Sequence, residues 1–550
     1  MTRSATRGIR TYVLTAVLAF TVPVAWGATL TVPGDYATIQ AAIDAAVDGD
    51  IVEIADGTYT GDGNKNLDFG GKAITVRSAS GDPATCIIDC EQDGRGFYFH
   101  SGEGPDSTVE SLTVMNGTAG VGVGGGVYCG DDSSPTFDNC VFSGNSAGGG
   151  GGLGVATGSP VLTGCTFSGN VATSDGGGVW CCFSSPTFVA CTFANNSAHE
   201  HGGGMKCYYG APLLIDCTIT ENVTTWCGGG LVLMYSHPVL TKCTINGNSC
   251  GVYGGGVSMT ASDSTFISCA ISGNSNASRG GGVRCHGRSP KFANCVIQAN
   301  SAIHSGGAVY CEANSTPQFN NCTITGNEAN LEGAVHCDSG EPRLTNCVLW
   351  GNAPEEIHVD SGVVIATYCT VQGGWFGEGN IDADPLFAEE PHPGPDGEWG
   401  TEDDDYGDLR LQAGSPCIDA GTNLHPPRDS GDLDGDGCTT ELLPYDCDGN
   451  NRYWDDLNTP DAGLGIAPIV DMGAYEFGAT TEIPSYPWPG ECDCDGVIDF
   501  GDIDAFVAAL RGEASYLSQY PDCIWLSADC NNDGSVDFDD IDPFVALLGH

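Results

Sequence analysis

An all-β solenoid is the fold class this sequence predicts, and three observations carry the expectation. Nine cysteines (Cys140, Cys165, Cys191, Cys217, Cys243, Cys269, Cys295, Cys322 and Cys347) recur every 25 to 27 residues. Five residues after each stands an asparagine, from Asn145 to Asn352, and a glycine triplet keeps the same phase from Gly124 to Gly280 before thinning to Gly306-Gly307 and Gly333. Within each copy, apolar residues alternate with polar ones at strand spacing rather than helix spacing.

In chain order, residues 1–27 come first. Arg3, Arg7 and Arg10 precede an apolar run from Tyr12 to Val24, and Ala25 and Gly27 stand where a small-residue cleavage site needs them. These are the parts of a secretory signal, so an exported protein, extracellular or on the cell surface, is expected. Next, "YATIQAAIDAAVDGDIVEIADGTY" sets Ile39, Ala42, Ile43 and Ala46 on one helical face and then gives a strand through Ile51, Val52 and Ile54. A helix there would cover the open end of the first coil.

Each repeat reads as three short strands. After the glycines, Val127, Leu153, Val179 and their successors form one apolar column, and Cys129, Val155, Cys181 and theirs form another two residues on. A second strand follows Pro135, Pro160, Pro186 and Pro212 and buries Phe137, Leu162, Phe188 and Leu214; a third buries the Cys140 column and then Phe142, Phe167, Phe193, Ile219 and Ile245. Glycine and asparagine are expected at corners that need φ > 0. Three strands around one apolar interior make a right-handed three-sheet parallel β-helix over residues 28–375, about a dozen coils stacked ~4.8 Å apart. The entry phrase resembles the N-terminus of the pectin-lyase-like β-helix superfamily. The repeats resemble those of polymorphic outer-membrane proteins and other right-handed β-helix surface proteins.

Stacked on inward columns, most cysteines are expected to be buried thiols that act as small apolar fillers. Cys86 with Cys90 and Cys227 with Cys250 are read as loop cysteines that could be bridged in an oxidising compartment.

The outward column between the two buried ones runs Tyr128, Gly154, Trp180, Lys206, Val232, Ser258, Arg284, Tyr310, His336, and the next outward position adds Tyr208, His286, Glu312 and Asp338. Aromatic rings stack on sugar faces and cations pair with uronate carboxylates, so Trp180, Lys206, Tyr208, Arg284, His286, Arg288, Tyr310 and His336 are the glycan-contact candidates. Arg279, Arg284, Arg288 and Lys291 cluster within one repeat. In families with this fold, the resemblance implies, sugar chemistry occurs on such an outward face. Yet no column residue sets up a clear acid–base pair, and catalytic residues stay unassigned. Asp131-Asp132 resembles the paired acids of polygalacturonase-like hydrolases, but the other phrases of that family are absent and the pair reads as a turn. His199-Glu200-His201 would need further metal ligands, and none stands in phase.

Composition then shifts. Residues 376–550 hold 40 acidic and 4 basic residues, against 31 and 11 in residues 28–375. The whole chain carries 71 acidic and 18 basic residues, a net charge of −53, which excludes a binder of the nucleic-acid backbone. No apolar run beyond the first 30 residues approaches the ~20 that would span a membrane. "GNIDADPLF", "DLRLQAGSPCIDAG" and "DMGAYEF" look like the tail of bacterial surface β-helix proteins, so residues 376–478 are expected to form an extension packed on the last coil. Within it, Asp432, Asp434 and Asp436 either open a calcium loop, with Leu443 where a carboxylate should close it, or form an acidic turn.

Past a Pro-rich linker at 479–489, residues 490–550 hold a duplicated phrase. "ECDCDGVIDFGDIDAFVAAL" and "DCNNDGSVDFDDIDPFVALL" place oxygen donors at the spacing that wraps one Ca²⁺ each. The first loop offers Glu491, Asp493, Asp495, the carbonyl of Val497, Asp499 and Asp502. The second offers Asp529, Asn531, Asp533, the carbonyl of Ser535, Asp537 and Asp540, and each loop is expected to run into a short helix. Cys492 or Cys494 could pair with Cys523 or Cys530. The pair of loops resembles a type I dockerin, which implies a cohesin-like or other cell-surface protein partner, although Phe500-Gly501 and Phe538-Asp539 depart from that family's partner-choosing residues. The expected function is a non-catalytic, adhesive or carbohydrate-contacting stalk tethered by a Ca²⁺-dependent module. The alternative is a polysaccharide lyase or glycoside hydrolase acting on uronic-acid glycans; a purely structural rod has no positive signature.

Overall fold

The computed structural model describes residues 27–481, except 277, 398, 400–402, 425–426, 428–442, 455 and 466–467. Beyond 481 it describes 492, 501–512, 515–516, 519–520, 528, 530, 536–541 and 544–545, less 513–514 and 517–518 between them. Residues 1–26 of the expected export signal, Asp432, Asp434, Asp436 and most of the expected calcium-loop positions lie outside the described residues.

The chain winds into a parallel β-solenoid. Along one coil, sheet 1 follows the glycines and runs from Phe97–Phe99 to Ile357–Val359; sheet 2 follows and runs from Thr29–Val32 to Ile365–Thr367; sheet 3 runs from Gly57–Tyr59 to Thr370–Val371. They contain 11, 14 and 13 strands, one per coil, and a fourth ladder of 8 strands, most only two residues long, follows the asparagines from Ser146–Gly149 to Glu328–Ala329. That fourth ladder is an addition to the three expected sheets: the residues after each asparagine stay extended long enough to pair with the neighbouring coil.

Register matches the sequence phase, with Phe142 beside Phe167 and Phe167 beside Phe193. These rings stack at 5.0 and 5.2 Å, and Phe266, Phe292 and Phe319 stack at 4.7 Å each. Such pairs add about 0.5–1.5 kcal/mol each beyond burial. The helix Ile39–Ala45, capped by the Thr38 side chain, buries Ile39, Ala42 and Ile43 at the N-terminal end, as expected. No helix among the described residues is long and apolar enough to cross a membrane.

The corners correct one expectation. The first glycine of each triplet is left-handed (Gly176 φ 63°, Gly202 φ 67°), and a Cβ on the next two, Gly177 and Gly178, would lie 2.4 and 2.6 Å from a carbonyl oxygen of the neighbouring coil. The repeating asparagines, however, do not have positive φ; the residue before each does, as in Asn195 (φ 56°) and Glu221 (φ 54°). That turn sends the asparagine side chain inward, fully buried. Each Oδ1 accepts the backbone N–H and the Nδ2 of the preceding asparagine, while each Nδ2 also donates to a main-chain carbonyl, as in Asn170 to Asn196 Oδ1 (2.9 Å) and to Phe142 O (2.9 Å). The ladder ends at Asn352, where the buried carboxylate of Glu356 takes the place of the next asparagine.

The cysteine column sits at the turn into sheet 3, and its thiols donate to carbonyls, as Cys191 does to Leu162 O and Val189 O. Cys86, Cys90, Cys227 and Cys250 are buried free thiols rather than bridged loop residues; Cys86 opens the strand Cys86–Asp89 inside the core. Cys492 and Cys530 are buried, and Cys494 and Cys523 lie outside the described residues.

The described part of 376–478 packs along the flank of the rod rather than on its last coil alone. Phe387, Leu409, Leu411, Met472 and Ala474 cover Val296 and Val348, and Leu443 is buried against Ile267 and Ala293. Asn346 Nδ2 donates to Thr422 O, and the Ala474 N–H donates to Thr323 Oγ1, at 2.9 and 3.0 Å. Leu443 is thus a core contact. Among the described residues of the C-terminal module, a helix covers Asp502–Ala509, and Phe506 stacks on Phe544 at 4.0 Å with the rings 7° from parallel.

Candidate functional site

Sheet 1 presents the expected outward column, but it is not one open surface. Ahead of each glycine corner stands a second column (Asp175, His201, Cys227, Tyr253, Arg279, Ser305, Glu332) whose members bridge from coil to coil. The tight glycine turn folds this column back against the outward residues of sheet 1, so the two interlock.

At the N-terminal half the face is open. Trp180 walls a cleft of about 360 Å³ with Asp175 and the backbone of Gly148 and Gly149. Lys206, beside Trp180 in register, is paired with Asp175 at 2.8 Å, and His201 Nδ1 lies 2.9 Å from the other oxygen of that carboxylate. Burial works against ionisation of Asp175, but His201 and Lys206 outweigh it and hold the carboxyl below its usual range. Tyr208 meets Tyr209 edge-on at 4.4 Å. Tyr209 in turn stacks on Phe183 (5.1 Å, 9°) and on Tyr235 (5.1 Å, 18°). Phe183, Tyr209 and Tyr235 occupy the same left-handed corner on successive coils (φ 49°, 51°, 50°) and are exposed by 64%, 42% and 44%. The sequence reading missed this trio. Its signal is present, because the next residue in that phase is Ala261.

Toward the C-terminal half the face closes. Arg284 is fixed by Glu312 at 2.5 Å and lies over the Tyr253 ring at 4.5 Å. Tyr310 is buried; its hydroxyl takes a hydrogen bond from Arg279 (3.0 Å) and gives one to Asp338 (3.3 Å). His336 is buried beside Tyr310 and His358. Tyr310 and His336 are therefore removed from the glycan-contact face, because the corner column covers them. His286 ends the strand Val283–His286, half-buried. Arg288 stands exposed at a left-handed corner (φ 76°), 3.6 Å from Asp263, and Lys291 falls on sheet 2. The basic cluster is thus divided: the turn at Arg288 carries the chain from one face of the rod to the next. Asp131-Asp132 is an exposed left-handed turn, as expected.

Two groups of side chains among the described residues have donors placed to hold a cation: Asp175 with Glu200 and His201, and Glu332 with His336, His358 and Asp360. Asp175 is the ligand that the His199-Glu200-His201 phrase lacked, supplied by the preceding coil, but Lys206 already neutralises it. Of the twelve calcium-loop candidates, only Asp502, Asp537 and Asp540 are described. Asp502 and Asp540 are buried; Asp502 Oδ1 accepts the Cys492 N–H at 2.5 Å, and Asp540 Oδ2 accepts the Asp537 N–H at 2.8 Å.

Comparison with known proteins adds the following. A family model described as the right-handed beta helix region matches residues 51–224 and 213–373. Among solved structures, the chain is similar to pectate lyase Pel9A at 13% identity, with 82% of this chain and 96% of that chain covered and a TM-score of 0.35. No curated protein matches.

Proposed function

From a chain that belongs to the right-handed beta helix family, we propose a secreted or cell-surface protein whose rod contacts a polysaccharide through sheet 1 and its aromatic rim, without cleaving it. The observation that carries this reading is the exposed stack of Phe183, Tyr209 and Tyr235 on three successive coils. Rings kept in water on three successive coils add little to a core; a contiguous apolar patch of this kind marks a contact surface. The cations beside it are already engaged. Lys206 is paired with Asp175 and Arg284 with Glu312, whereas elimination from a uronate needs an uncommitted base next to a neutralising cation. The rival reading, a polysaccharide lyase or glycoside hydrolase, draws on the corner formed by Arg279, Arg284 and Glu312.

Residues 490–550 complete the reading as a dockerin-like, Ca²⁺-dependent tether to a cohesin-like or other surface protein, with residues 1–27 as its export signal. Support comes from the stacked Phe506 and Phe544, which relate the two copies of the phrase, and from buried Asp502 and Asp540 at the twelfth position of each loop. That donor set, carboxylates with one amide and main-chain carbonyls, suits a hard cation such as Ca²⁺.

The test is affinity electrophoresis of the Ca²⁺-loaded chain through a panel of acidic and neutral polysaccharides, with reducing ends and unsaturated-uronate absorbance followed in parallel. Retention without products is expected, weakened in Tyr209→Ala. Product formation abolished by Arg284→Ala would replace this reading with the lyase one. Neither retention nor products on any polysaccharide would refute glycan contact.

A further inference from the structure

The final coils of sheet 1 gather four side chains that the proposed function does not use. Between Cys347 and Cys369 the repeat shortens to 22 residues. The strand Ile357–Val359 then pairs with Val335–Cys337 so that His358 lies directly beside His336. The outward column thereby carries two imidazoles on adjacent coils, stacked at 5.2 Å and 20° from parallel. Asp360 follows two residues after His358, and Glu332 turns in from the corner column. One ring nitrogen of each histidine and one oxygen of each carboxylate all lie within 4.8 Å of one another.

The surroundings of His336 point to a cation. Its Nδ1 lies 3.2 Å from Glu332 Oε2 and its Nε2 lies 3.2 Å from Asp360 Oδ2, while the side chain is only 2% exposed. A neutral imidazole has one N–H, so the nitrogen without it faces a carboxylate lone pair against lone pair. Nδ1 in fact makes no hydrogen bond. A positive ion at the nitrogen that carries no proton turns that repulsion into ligation, while the other ring nitrogen keeps its N–H. The spacings agree: ligands about 2.0–2.1 Å from a tetrahedral ion stand about 3.3 Å apart, close to the 3.2 Å between a His336 nitrogen and its carboxylate, of which one ion uses only one, and to the 3.4 Å from His358 Nε2 to Asp360 Oδ1. Outer partners orient the donors as metal sites require. Glu355 Oε1 lies 2.7 Å from His358 Nδ1 and leaves Nε2 for the site, and Ser305 Oγ donates to Glu332 Oε2 at 2.6 Å.

We propose that Glu332, His336, His358 and Asp360 bind one first-row divalent cation, with Zn²⁺ the best match. Two imidazoles with two carboxylates favour Zn²⁺ over Ca²⁺, which takes six to eight oxygens. Glu332, His358 and Asp360 keep partial exposure and give the ion a way in.

The experiment uses the full chain, stripped of metal and returned to excess Ca²⁺ so that oxygen-only sites are filled. Zn²⁺ is titrated calorimetrically, and Co²⁺ is added as a spectroscopic probe. Expected are one Zn²⁺ bound through these residues, tetrahedral Co²⁺ bands in the visible spectrum, and a higher unfolding midpoint with Zn²⁺. His358→Gln and Asp360→Asn, both at partly exposed positions, should each weaken that binding by roughly tenfold or more, and His201→Gln should leave it unchanged. Zn²⁺ uptake identical in both site variants would overturn the proposal. So would no uptake at all, with ¹⁵N shifts showing His336 doubly protonated between its two carboxylates.

Discussion

Removing one amide from the middle of the asparagine ladder should cost more than its size suggests. Asn248 Oδ1 accepts the Asn222 N–H (3.0 Å) and Asn222 Nδ2 (2.9 Å), while Asn248 Nδ2 donates to Ile219 O and Asn274 Oδ1 (both 2.9 Å). In Asn248→Ala all four bonds vanish. Asn274 Oδ1 still accepts the residue-248 N–H (3.0 Å in the wild type), so the cost falls mainly on the two donors of Asn222, which lose their acceptor in a fully buried site. Each stranded donor costs about 1–3 kcal/mol, so the change should destabilise by about 2–6 kcal/mol. Because coils touch only their neighbours, the loss should be local. Guanidinium unfolding followed by circular dichroism measures the total, and hydrogen exchange over coils 222–274 locates it. A loss below about 1 kcal/mol, with exchange in those coils unchanged, would refute the ladder's role in holding the corner.

Three further outcomes follow from burial. Burial raises the carboxyl of Glu356 from 4.5 to about 7, against the opposing pull of the Asn352 hydrogen bonds. Below pH ~4.5 it is protonated in both folded and unfolded chains; as pH rises toward 7 the unfolded chain ionises first and stability falls, by about 3 kcal/mol once above pH 7. Glu356→Gln should therefore flatten the pH dependence of the unfolding free energy between pH 4.5 and 8 and raise stability at pH 8. Burial also pushes the Cys90 thiol up to about 12. Alkylation at pH 8 read by mass spectrometry should thus spare the buried cysteines of the folded rod and modify Cys182, which is partly exposed. Finally, fully buried Arg452 donates to the carbonyls of Asp471 and Gly473 at 2.6 and 2.9 Å and lies 3.5 Å from Glu476. Arg452→Met should destabilise the flanking extension by about 3–5 kcal/mol, and limited proteolysis should then cut within 376–478 before the rod.

The fold was legible because a solenoid repeats its instructions. The apolar columns from Val127 onward, the cysteine phase and the glycine corners each recur often enough to identify inward and outward positions. The asparagines were correctly placed in phase and wrongly given a backbone role. Spacing alone does not distinguish a residue that turns the chain from one whose amide the turn sends inward. The extension was misplaced for a different reason. The outward phase of sheet 3 reads Val141, Thr166, Thr192, Thr218, Thr244, Ala270, Val296, Thr323 and Val348, so valine stands both in the open coils and where Phe387, Met472 and their neighbours cover the sheet. The residue type in that phase therefore does not mark the covered flank, because Val141 is uncovered and Thr323 lies under the extension. The His336–His358 pair was not legible from the 26-residue period, since it forms only through the 22-residue coil.

Departures from the repeat are therefore where activity should be sought. A left-handed corner tolerates glycine best, and a bulky residue there is strained. Later coils place Ala261, Gly287 and Ala313 at the corner where Phe183, Tyr209 and Tyr235 stand. Core packing does not explain the three rings, because all three are exposed. Their ring faces are partly occupied by one another, so what they offer a ligand is a ribbon of ring edges along the rod axis. A flat, extended chain lying along several coils matches that ribbon better than a single small molecule would. On the same sheet, at the glycine-corner side, the Trp180 cleft supplies a recess for one protruding group, with Asp175 and Lys206 as fixed polar partners. The metal-ligand cluster and the aromatic rim then occupy separate stretches of the same sheet, between which Arg284 and Tyr310 are locked in ion pairs and hydrogen bonds. Because each coil touches only its neighbours, losing the ion at the C-terminal coils should leave the rim's geometry unchanged.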